Sequence, residues 1–130
     1  MKLNNDRYII SIHPNGSVLV SEIRGLIPTD DEIAVFVDDP DDYVTAPCRF
    51  GAMLYGTHGR DYSDELTPIN RIATELTRRK VTLPVRGTAV LCATEYGKLF
   101  GFKYEQTNQI VKELHRTGVK LYERTHRADV

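Results

Sequence analysis

Residues 55–62, Tyr55-Gly56-Thr57-His58-Gly59-Arg60-Asp61-Tyr62, gather two glycines, an imidazole, a guanidinium and two phenol rings into one polar stretch. Backbone N–H groups freed by glycine can form a concave nest for an anion, Arg offers a planar fork to phosphate or carboxylate, and Tyr gives a stacking face. The chemistry that suits this pattern is capture of a small anionic ligand such as a nucleotide, with His58, Arg60 and Tyr62 as contacts. The stretch matches neither the Gly-Lys-Ser/Thr phosphate loop nor the Gly-x-Gly-x-x-Gly dinucleotide fingerprint. It equally suits a hairpin loop whose Arg60 and Asp61 are merely solvated.

A second cluster, Asp38-Asp39-Pro40-Asp41-Asp42, reads as a loop, because four like charges cannot pack in an apolar interior and Pro40 removes a ladder donor. It lacks the turn glycine and closing glutamate of a calcium loop. Asp38, Asp39, Asp41 and Asp42 are therefore expected to contact a partner rather than a metal. His13, His115 and His126 stand apart from one another and read as structural or solvated. Cys48 and Cys92 sit in apolar contexts and read as buried thiols. No Gly-x-Ser-x-Gly elbow or Cys/His signature is present, and exposed carboxylates keep ordinary pKa values unsuited to acid catalysis near neutrality. Catalysis is disfavoured, and neither a cofactor nor a metal is expected.

The chain has 130 residues and a net charge of −1, unevenly spread. From Thr29 to Glu65 ten acids oppose two arginines, a local charge of −8, whereas from Leu66 onward twelve Lys and Arg oppose six acids, giving +6. Such polarity can orient a partner or let copies meet head to tail. The basic residues include Lys112 and Arg116, four apart on one helix side as phosphate contacts would be. Glu105 and Glu113 share that helix and the overall pI is about 6.4, which argues against nucleic acid. No run approaches the roughly 18 apolar residues of a membrane crossing, and residues 1–7 lack the pattern of a secretory leader, so a cytoplasmic setting is expected.

The elements that must position these residues follow from periodicity and punctuation. Two apolar runs around Pro14-Asn15-Gly16-Ser17 predict a β-hairpin, with Asn15 and Gly16 both at positive φ. Thr29-Asp30-Asp31-Glu32 has capping-box form, but the β-branched Ile33–Val37 run predicts a buried strand with at most one helical turn before it. Tyr43–Ala46 and Phe50–Tyr55 are expected strands separated by Pro47. Thr67-Pro68 is expected to cap a helix over residues 67–79, with Ile69, Ile72, Ala73 and Leu76 inward. Strands follow at Val81–Val85, Thr88–Ala93 and Leu99–Phe102, around a turn at Glu95–Lys98. A second helix is expected over residues 104–117, ended by Gly118, then an edge strand at Val119–Tyr122 and a frayed tail. The prediction is one α+β domain spanning residues 1–130, a mainly antiparallel sheet with two helices packed on it.

The run Leu66-Thr67-Pro68-Ile69-Asn70-Arg71-Ile72-Ala73-Thr74-Glu75-Leu76, then Val85-Arg86-Gly87-Thr88-Ala89-Val90-Leu91, resembles a family of small domains of unassigned activity found mostly in bacteriophages and mobile elements. There an Asn-Arg-x-Ala-Thr helix precedes a Gly-Asp or Gly-Thr strand, after an N-terminal strand pair like Tyr8 to Ile23. The resemblance spans residues 7–114. It implies an accessory binding protein, of a kind that blocks a host component such as a defence factor without catalysis, and a homo-oligomer is one expected form. The alternative is a pocket for a small anionic ligand, in which Asn70 and Arg71 join His58 and Arg60. A hydrolase or transferase with no legible motif stands third.

Overall fold

The computed structural model describes residues 6–37, 43–56, 67–77 and 84–127. Two hairpins, β1 (Arg7–Ile12) with β2 (Val18–Ile23) and β3 (Tyr43–Cys48) with β4 (Gly51–Gly56), flank β5 (Ala89–Glu95). The order is β2-β1-β5-β4-β3, every pairing is antiparallel, and the short β6 (Lys98–Phe100) pairs with the end of β5. The helices are α1 (Asp30–Ala34), α2 (Arg71–Thr77) and α3 (Tyr104–Arg127). The α+β class with a mainly antiparallel sheet is as expected, with three helices among the described residues where two were expected.

Strand alternation sends apolar side chains to both faces. Ile10, Ile12, Met53, Tyr55, Ala89 and Leu91 point to one face, where Ile72 and Ala73 of α2 and Ile110 and Leu114 of α3 cover them. Ile9, Leu54, Val90 and Cys92 point to the other, beneath Ile33 and Val37.

That second layer corrects the expected strand at Ile33–Val37. Thr29 and Glu32 complete a reciprocal capping box, the N–H groups of Phe36 and Val37 donate to the Ile33 carbonyl, and Val35 is 76% exposed. Capping nucleates the turn, and the i, i+4 spacing of Ile33 and Val37 buries both on one side, which outweighs the strand preference of β-branched residues. The Tyr43 hydroxyl donates to Asp30 at 2.9 Å and so ties α1 to β3.

The first hairpin forms with different turn chemistry from that expected. His13 N–H donates to the Ser17 carbonyl and Gly16 N–H to the His13 carbonyl, both at 2.9 Å. Gly16 has φ +92°, whereas Asn15 does not enter the left-handed region. Pro14 sets a type I turn that a glycine bulge closes. The paired positive φ values fall instead at Tyr96 (52°) and Gly97 (76°), in the β5–β6 turn. Pro47 lies within β3 rather than between strands, which is tolerated because β3 is an edge.

Three further boundaries differ. α2 begins at Arg71, not Thr67, and Ile69 instead forms an isolated bridge with Arg86. α3 continues through Gly118 to Arg127, replacing the expected edge strand, because Leu121 continues the inward stripe that begins at Ile110; the end of the expected frayed tail, residues 128–130, lies outside those described. Val85 is buried outside any named strand, and residues 81–83 lie outside those described. No helix among the described residues is long and apolar enough to cross a membrane.

Candidate ligand groove

Asn70 organises the end of the sheet from which the groove opens. Its Oδ1 accepts from Ala73 N–H at 3.1 Å, the reach of an N-cap to its third helical residue. Its Nδ2 donates to the carbonyls of Ile12 (2.8 Å) and Gly87 (2.9 Å), so one amide caps α2 and ties it to the end of β1 and to the segment leading into β5. Asn70 backbone N–H also donates to the Val85 carbonyl at 2.8 Å, and the Thr74 hydroxyl accepts from Val85 N–H at 2.9 Å. Thr67 and Asn70 are both good caps by type. The bonds that Asn70 makes to the Ile12 and Gly87 carbonyls decide between them, since each such bond contributes about 0.5–1.5 kcal/mol.

Arg71, the first residue of α2, is exposed beside this clamp. It lines a compartment of about 130 Å³ with His13, Pro14, Asn15, Gly16, Ile72, Gly118 and Leu121. An adjoining compartment of about 500 Å³ shares Asn15, Gly16, Ile72 and Gly118, and is completed by Leu114, His115, Val119 and Tyr122. The two lie side by side between the first hairpin's turn and the helices, and together make the candidate groove. Its larger part is walled mainly by aliphatic and aromatic residues, and its smaller end is lined by Arg71 and His13. A Cβ at Gly118 would lie in ordinary van der Waals contact with Ile72 Cδ1, at 3.4 Å.

His13 is held between two hydroxyls, Ser11 Oγ 3.1 Å from Nε2 and Thr88 Oγ1 3.3 Å from Nδ1. The spacing is that of a nucleophile–base–orienter set, yet Ser11 is 1% exposed and so cannot reach a substrate. Thr88, moreover, has no charge to stabilise an imidazolium as the triad carboxylate does. The hydroxyls orient the ring. Burial pushes the Cys92 thiol up to about 12 and raises Cys48 above its ordinary value, the opposite of what a nucleophilic cysteine needs.

Of the residues picked out from sequence, Arg71 reaches the groove, while Asn70 lies 1% exposed behind it as a fully engaged scaffold. His58, Arg60, Tyr62, Asp38, Asp39, Asp41 and Asp42 lie outside the described residues. Sequence reasoning set His13 and His115 aside and missed Asn15, Val119 and Tyr122. The available signal was Gly118, a glycine inside a helical pattern, which often marks close packing. No family model, curated protein or solved structure matches this chain.

Proposed function

We propose that this chain is a non-catalytic binding protein whose groove captures a small amphiphilic anion. The carrying observation is that an apolar compartment lined by Leu114, Val119 and Tyr122 adjoins, through shared Asn15, Gly16, Ile72 and Gly118, a smaller one lined by Arg71. Its larger compartment, about 500 Å³, falls in the range typical of small-ligand sites, roughly 300–1,000 Å³. An acyl or aryl body would desolvate against the walls, and a carboxylate or phosphate would meet the guanidinium fork. The accessory role implied by the resemblance fits a capture protein of this kind.

The test uses 8-anilinonaphthalene-1-sulfonate as a fluorescent probe, with octanoate and octanol as competitors. The expected result is saturable binding displaced at least about tenfold better by octanoate than by octanol, a difference of about 1.4 kcal/mol. Val119→Asp puts a carboxylate at an exposed helical position on the groove wall and should weaken probe binding by a similar factor while leaving the circular dichroism spectrum intact. No saturable binding, or binding indifferent to Val119→Asp, would overturn the reading and favour blocking of a host protein by surface contact.

A further inference from the structure

Every open sheet edge presents unpaired N–H and C=O groups, and proteins guard such edges with proline, lysine, bulges or short strands. Among the described residues β2 and β3 are the two edges, and they differ. β3 carries Pro47, which has no N–H to offer. β2 reads Val18-Leu19-Val20-Ser21-Glu22-Ile23, six residues in unbroken register with β1 and without proline, lysine or a bulge. Leu19 is 51% and Val20 41% exposed, one on each face of the sheet.

Alternation fixes which backbone groups point outward. The His13–Ser17 pair is hydrogen bonded, so Leu19, Ser21 and Ile23 turn their N–H and C=O groups toward β1. Val18, Val20 and Glu22 therefore present theirs away from the sheet. This set is self-complementary about Val20: an antiparallel copy sets Val20 opposite Val20 and Val18 opposite Glu22, so no like charges oppose. α3 lies over β1 and β2. The two-fold axis of such pairing stands perpendicular to the sheet, so both α3 helices fall on the same face of the joined sheet.

We propose that β2 pairs with β2 of a second copy of this chain, antiparallel about a two-fold axis at Val20, making one continuous sheet. The pairing does not depend on what fills the groove.

Sedimentation equilibrium up to about 0.5 mM tests it. The wild-type chain is expected to dimerise. Val20→Lys sets two ammonium groups opposite one another and should weaken dimerisation at least about tenfold, with the circular dichroism spectrum unchanged. Thr45→Lys, on the other edge, should leave it unaltered. Register is read separately in a Cys48→Ser background: Val20→Cys should cross-link its dimer under mild oxidation, since directly opposed Cα atoms fall within disulfide reach. Leu19→Cys, which would oppose Ser21 rather than itself, should cross-link far more slowly. A monomeric wild type, a dimer insensitive to Val20→Lys, a dimer broken by Thr45→Lys, or equal cross-linking at the two positions would overturn the proposal.

Discussion

Asn70 carries more of the structure than any other polar side chain described. It caps α2 and satisfies a carbonyl on each of two segments that the chain brings together from far apart, Ile12 and Gly87. Asn70→Ala loses the cap, worth about 1 kcal/mol, and the amide's bonds to the Ile12 and Gly87 carbonyls, of which Ile12 is still paired with Ala89 in the ladder, so the expected destabilisation is about 2–4 kcal/mol in urea unfolding. A loss below about 1 kcal/mol would mean that water replaces the amide. Cys92 offers an independent check on the core. With its thiol pushed up to about 12 by burial, it should resist iodoacetamide at pH 8 in the native state and react on unfolding. Rapid native labelling would show that the layer formed by Ile33 and Val37 opens readily.

At the scale of elements, local signals and tertiary demands compete, and the β5–β6 turn makes the contest measurable. Tyr96 is 96% exposed and sits at φ 52°, where a bulky side chain is disfavoured. Tyr96→Asn keeps a side chain that tolerates this region and loses no packing, so a gain of about 0.5–1 kcal/mol is expected by thermal unfolding. Destabilisation would imply a packing role for the ring. α1 carries a pH-dependent prediction. Burial opposes the Glu32 carboxylate, but hydrogen bonds from the backbone N–H groups of Thr29 and Arg24 outweigh it, leaving the folded pKa below the ordinary value. A depressed folded pKa contributes stability that is present above the unfolded pKa and lost as pH falls through the folded one. Acid should therefore weaken wild type more than Glu32→Gln; parallel acid profiles would remove the capping box from the account. The same competition explains what was legible in the sequence. The capping box at Thr29, the hairpin at Gly16 and the inward stripe of α3 are local patterns, and they could be read. The choice of Asn70 over Thr67 depends on carbonyls brought by distant strands. The passage of α3 through Gly118 depends on Leu121 finding the core, and neither is encoded within a few residues of the site. The groove was illegible for the same reason: Arg71, Asn15 and Tyr122 meet only once α2, the hairpin turn and α3 have docked.

For the whole molecule, the near-zero net charge conceals a polarity that should govern how the groove meets its ligand. α3, which lines the groove, carries five Lys and Arg against three Glu, a net of +2. A field of that sign concentrates anions near the groove and is screened over about 8 Å at physiological salt, whereas apolar contact is not. Octanoate and octanol share the same chain, so their difference isolates the charged head. Between about 20 and 300 mM sodium chloride, octanoate affinity is expected to fall several-fold while octanol affinity holds or rises slightly. Arg71→Gln should flatten the octanoate dependence without altering that of octanol. If the two ligands respond to salt alike, recognition is purely apolar, and Arg71 serves the first turn of α2 rather than the ligand.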